Sequence, residues 1–166
     1  MSHAEPVVAR PDPRASTVIA LDDVASPAVK MGIGYWRRLA GIRPWPCREE
    51  ISPADIRGLL RNLILLRVID GGADFEYRIV GDAHVVAYDF CAQGKRLSEL
   101  GDDTHIGVLR KLYGRVLRKQ AAYAYRGWMA RGEGHMLFSE SAFLPLGPTG
   151  EIDHIVNFSA YTPTAF

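Results

Sequence analysis

Phe75-Glu76-Tyr77-Arg78-Ile79-Val80 alternates bulky and polar side chains at the period of a half-buried strand, and Gly81 stops it abruptly. Asp82 follows as an N-cap signal, and Val85, Val86 and Phe90 recur at helical spacing on one side of the short helix that it opens. A loop around Ala92 to Gly94 leads into another short helical turn, Lys95-Arg96-Leu97-Ser98-Glu99-Leu100. One strand thus empties directly into several short helices. That layout leaves a gap between helices and sheet, and such gaps are where small domains hold ligands.

The rest of the chain arranges itself around this stretch. Leu63 to Ile69 is a nearly continuous apolar run closed by Asp70-Gly71-Gly72, which reads as a buried strand joined by a tight turn at 70–73 to Phe75–Val80. Upstream, Ser26-Pro27 is a helix start, with Ser at N-cap and Pro at N1, and Gly41 is its stop. Between them Ala28, Val29, Gly32, Ile33, Trp36, Leu39 and Ala40 share one broad face that must bury something. Arg43-Pro44-Trp45-Pro46 cannot be helical, and Ser52-Pro53-Ala54-Asp55 repeats the start signal for a helix with Ile56, Leu59 and Leu60 on its apolar side. Downstream, Asp102-Asp103-Thr104 caps a longer helix to about Gln120, with Leu109, Leu112, Tyr113, Val116 and Leu117 inside and a basic outer stripe. Three strands close the chain: Tyr123–Arg131, His135–Leu146 and Ile152–Tyr161, joined through glycine-rich turns at 132–134 and 147–150. The order predicts an α+β fold, an antiparallel sheet of about five strands with short helices and one long helix on one face, plus an N-terminal flanking helix.

Several of these segments resemble a PAS sensory domain: the Tyr77-Arg78-Ile79-Val80-Gly81 strand end, the short helices after it, and Gly94-Lys95-Arg96-Leu97-Ser98-Glu99-Leu100. The lead-in, with Tyr35-Trp36-Arg37-Arg38-Leu39, Arg43-Pro44-Trp45-Pro46, Ile51-Ser52-Pro53 and Leu59-Leu60, and the late Phe143-Leu144-Pro145-Leu146, are similar to a family of short bacterial proteins made of one PAS domain. The resemblance covers roughly residues 27 to 161. It implies a PAS-like core over 63–161, with flanking helices and a proline-rich connection over 26–62 before it and a tail at 162–166 after it; residues 1–25, with Pro6, Pro11, Pro13 and scattered charges, read as a poorly ordered arm with one sticky patch at Val18-Ile19-Ala20-Leu21. It also implies a sensory or regulatory role.

Composition narrows the partners. A chain of 166 residues is one domain, long enough to bury roughly two-thirds of its unfolded surface. A formal charge of +1 gives no general affinity for nucleic acid, and the basic stripe of the long helix, with no aromatic residues among its charges, reads as a solvated face. The N-terminus carries no long apolar run, so a signal peptide or membrane span is not expected and a cytoplasmic address is the default. Two cysteines, Cys47 and Cys91, read as free thiols, the second as a small apolar filler.

Few residues call for chemistry. The five histidines show no metal-binding spacing, and His105, the one histidine near the long helix, lies too early on it for a haem ligand of the PAS type. A flavin photoadduct needs a cysteine where Leu97 stands. Glu140 sits mid-strand among apolar neighbours; it reads as paired with Arg126 or Arg131, the alternative being a small α+β cone enzyme with Glu140 or His135 as general base. The cofactor stays open.

On the PAS arrangement, Tyr77, Tyr88, Phe90, Tyr113, Trp128 and Phe158 are expected to line a ligand cavity. The expected function is to bind a small molecule and signal through protein contacts, with a ligand-free interaction module as a further alternative. A homodimer is expected through Ile33, Trp36 and Leu39 of the first helix, with a protein signalling partner beside it.

Overall fold

The computed structural model describes residues 16–101, 104–131 and 135–163, and within them all side chains except those at 104, 105, 129–131, 135 and 136. Helix α1 (Pro27–Ala40) starts and stops where Ser26, Pro27 and Gly41 place its ends. Neither Ser26 nor Ser52 makes a side-chain cap bond, and the helix expected after Ser52 is a 3-10 helix, Pro53–Asn62, with a non-helical break at Ile56. Strands β2 (Leu63–Ile69) and β3 (Asp74–Val80) form the expected hairpin, and α2 (Asp82–Tyr88) follows at once. Gly81, not Asp82, occupies the cap position of α2. A side chain at Gly81 would run into the carbonyls of Leu60 and Arg61, so the strand-to-helix corner depends on its absence.

A 3-10 turn at Leu97–Leu100 leads to α3 (Thr104–Lys119), then β4 (Tyr123–Arg131), β5 (His135–Leu146) and β6 (His154–Thr162). The cap expected from residues 102–103 and the turn at 132–134 lie outside the described residues. One further strand was not expected. β1 (Thr17–Ile19), inside the stretch read as an arm, pairs antiparallel with β4, Val18 opposite Tyr125. Three residues are too few to show a strand's alternation in sequence. The sheet therefore has six strands, all antiparallel, in the order β1-β4-β5-β6-β2-β3.

Side chains on the two faces of this sheet bury against different helices. Toward one face, Phe138, Glu140, Ala142 and Leu144 alternate along β5 and Phe158 lies beside Ala142 on β6. Helix α1 covers them, with Val29, Ile33, Trp36 and Ala40 buried beneath it. It lies close: a Cβ at Gly32 would strike the Phe158 ring, and the Trp36 indole Nε1–H donates to the Pro145 carbonyl at 2.9 Å. The opposite face, with Phe143 on β5 and Phe75 and Tyr77 on β3, meets α3 through Tyr113, whose ring lies 5.3 Å from Phe75 and 5.9 Å from Phe143.

The helix face expected to meet a second copy is thus occupied by the chain's own sheet. Ile33 and Trp36 are 3% and 7% exposed and Leu39 is half-buried against the same core, so the chain's own packing takes up the first two and part of the third. Burial of an apolar helix stripe against a bare sheet face needs no second chain.

Candidate functional site

On the α3 side the short helices stand away from the sheet and enclose a cavity of about 470 Å³. The physical cause is the corner at Gly81: it turns the chain from β3 into a helix of only seven residues, Asp82–Tyr88, so the layer over β2 and β3 is built of short pieces. Ile64 on β2 and Tyr77 and Val80 on β3 form the floor, α2 contributes His84 and Tyr88, and α3 closes the far side with Ile106, Leu109 and Tyr113. Phe90, Ala92, Lys95, Glu99 and Leu100 complete the wall from the connection between α2 and α3.

Three tyrosines, Tyr77, Tyr88 and Tyr113, line the cavity. Tyr77 and Tyr113 face each other with their oxygens 2.9 Å apart. Burial pushes both phenols above their ordinary values, so both keep their protons at neutral pH. Tyr88 and Tyr161 are also raised by burial and hydrogen-bond to each other, their rings 6.0 Å apart edge to face.

His84 sits behind this group and is 1% exposed. Its Nε2 lies 2.9 Å from the Asn62 carbonyl, which can only accept, so Nε2 carries the proton and Nδ1 accepts from the Tyr161 hydroxyl at 2.7 Å. Burial pushes the imidazole down to about 4, leaving it neutral at physiological pH. The ring ties α2 both to the end of the Pro53–Asn62 helix and to β6.

Of the side chains expected at the cavity, the structure brings together Tyr77, Tyr88, Phe90 and Tyr113. Trp128 and Phe158 lie on the other face of the sheet. Trp128 packs on Phe138 with ring centroids 5.1 Å apart, and Phe158 lies under Gly32 of α1. Strand alternation assigns neighbours to opposite faces without saying which face is which, and both residues fall on the α1 parity. The reading missed His84 and Lys95 on the lining and Tyr161 behind His84. His84 and Tyr88 are four apart on one helix and therefore share a side, which was the available signal for His84.

The other candidates are placed as follows. Glu140 is fully buried and bound to Arg126, at 2.7 and 3.0 Å, while the Arg131 side chain lies outside the described residues. The side chains of His105 and His135 lie outside the described residues. Cys91 is exposed, so it fills no core space, and Cys47 is half-buried. Among the described residues no three His, Cys, Asp or Glu side chains gather in a way that could hold a metal, and no helix is long and apolar enough to cross a membrane.

No curated protein matches the chain. Among solved structures it is similar to an RNA-binding light-oxygen-voltage receptor, at 16% identity and a TM-score of 0.41, covering 69% of this chain and 35% of that one. It is also similar to a fungal LOV domain photoreceptor, at 14% identity and a TM-score of 0.45, covering 82% of this chain and 95% of that one. A family model described as "PAS domain" matches residues 24–156, from just before α1 into β6. That span takes in the α1 layer, the β2–β3 hairpin, the cavity and all of β4 and β5, and the chain belongs to the PAS domain family.

Proposed function

We propose that the chain senses a small, largely apolar molecule in the cavity over β2 and β3, and that it passes on occupancy through contacts with a second copy or with a signalling partner in the cytoplasm. PAS domains are sensory modules rather than enzymes, and they commonly bind small ligands and mediate protein interactions. Family membership therefore decides against the general-base reading of Glu140. The observation that carries the ligand reading is the cavity itself: about 470 Å³, lined by Tyr77, Tyr88, Phe90 and Tyr113, with the Tyr77 and Tyr113 hydroxyls 2.9 Å apart. Small-molecule sites typically fall at roughly 300–1,000 Å³, apolar with a few convergent polar groups.

Native mass spectrometry of the purified protein, together with its absorption spectrum, tests the proposal. A retained mass or a visible band identifies the occupant. A compound that enters the cavity raises the melting temperature through linkage. A broad small-molecule screen with no stabilisation, and a protein with no retained mass, would favour a module that works through protein contacts alone.

A further inference from the structure

We infer that the occupant is an anion with an apolar body, its acidic head paired with Lys95 at the rim of the cavity. This rests on the ligand-binding reading above. Lys95 is held in place by backbone: the Tyr77 N–H donates to the Lys95 carbonyl at 2.9 Å and the Gly94 N–H to the Tyr77 carbonyl at 2.7 Å. These bonds stitch the loop to the free edge of β3. The lysine stem thus starts beside the residue whose ring forms the cavity floor, and its side chain lines the wall.

The ammonium of Lys95 has no carboxylate partner among the described residues, and its Nζ lies 5.9 Å from the centroid of the Phe90 ring. Glu99 is the other charged residue on the lining, and the Arg96 N–H at 2.6 Å holds one oxygen of its carboxylate in the loop. Among the described lining residues nothing deeper carries negative charge. His84 is neutral and the phenols are protonated. In the Tyr77–Tyr113 pair one hydroxyl donates to the other, and the acceptor keeps a proton of its own to donate elsewhere.

A cationic ligand would meet Lys95 as a like charge, and a neutral one would leave it without a partner. An acid whose body fills the apolar wall places its head in the field of Lys95, where the low-dielectric surface beneath strengthens the attraction relative to open water. Lys95 is exposed, so the pairing is screened by salt.

Three probe acids of increasing length, benzoate, 2-naphthoate and decanoate, are titrated calorimetrically at low salt beside their primary amides. The best-binding acid is expected to bind about tenfold more tightly than its amide, a preference that narrows as salt is raised. Lys95→Met, at an exposed position that keeps the stem, is expected to remove the preference by weakening the acid and leaving the amide unchanged, while Lys95→Arg retains it. Acid and amide binding equally to the unmutated protein would overturn the anion inference while the cavity reading stands. A preference that survives Lys95→Met would overturn the role of Lys95. No binding by any of the six compounds would count against the ligand cavity itself, and the inference would fall with it.

Discussion

Arg126 on β4 grips the carboxylate of Glu140 on β5 through both Nε and Nη2, at 3.0 and 2.7 Å, while the other carboxylate oxygen accepts the backbone N–H groups of Ala25 and Ser26 at 2.8 and 2.6 Å. The Glu140 side chain is fully buried and that of Arg126 is 31% exposed. One buried carboxylate thereby ties the start of α1 to the middle of the sheet.

The two halves of this pair should fail unequally. Arg126→Met leaves a fully buried carboxylate without its counter-charge and should cost about 3–5 kcal/mol. Glu140→Gln keeps an acceptor for Ala25 and Ser26 and leaves an arginine that can reach water, so about 1–2 kcal/mol is expected. Urea denaturation reads both values. Equal losses, or a larger loss in Glu140→Gln, would contradict this account.

Helix α1 should behave as part of the monomer core. Trp36→Glu buries an unpaired charge and removes the bond to Pro145, so it should unfold the chain rather than release folded monomers. Circular dichroism beside light scattering separates these outcomes.

Gly32 and Phe158 should be coupled. Gly32→Ala forces its methyl into the Phe158 ring and should cost about 1–3 kcal/mol, while Phe158→Ala should cost about 3–5 kcal/mol through its cavity. In the double variant each change relieves the other, and the combined loss should fall short of the sum by at least about 0.5 kcal/mol.

Stability should depend on His84 in mild acid. Its value falls from the ordinary 6.5 to about 4 in the folded chain, so between those limits the unfolded chain binds a proton that the folded chain refuses. The contribution is fully present above pH 6.5 and is lost as pH falls toward 4, by up to about 3 kcal/mol. Glu50 and Glu76, lowered by hydrogen bonds from Arg43 and Arg78, act only below the ordinary carboxylate range. Denaturation midpoints between pH 7 and 5 should therefore slope in the unmutated protein and flatten in His84→Gln. An unchanged slope in that variant would assign the effect to another group.

A larger side chain in the cavity should compete with a ligand. Leu109→Trp directs an indole from α3 toward Tyr77 and Tyr88 and should abolish any melting-temperature rise produced by an apolar ligand, with the fold retained by circular dichroism. A ligand that stabilises this variant as well as the parent binds elsewhere.

Much of the site could be read from the chain alone, for reasons visible in particular residues. Tyr77 follows from the alternation of Phe75–Val80, and Tyr113 from the inner stripe of its helix. Tyr88 and Phe90 were placed by the PAS resemblance and its short helices. Trp128 and Phe158 show the limit, since each lies in a strand whose two faces are both apolar and whose period is the same whichever helix lies above. Lys95 gave no signal at all: a lysine in a polar loop is ordinarily solvated, and only the bonds between Tyr77, Gly94 and Lys95 bring it to the cavity rim.

The sequence by itself determined the elements, because propensity, periodicity and stop signals are local: Ser26, Pro27 and Gly41 bound α1, and the glycines after Ile69 and Val80 bound the hairpin. It also narrowed the partner of Glu140 to two arginines. Only the tertiary structure set Arg126 against Glu140, turned Trp128 and Phe158 away from the cavity, added β1 to the sheet and laid α1 on its own chain. These outcomes depend on contacts such as Ser26 to Glu140 and Trp36 to Pro145, 114 and 109 residues apart in sequence. No local pattern encodes such a pair, because the choice among distant partners is made by which packing buries the apolar faces and satisfies the buried polar groups together.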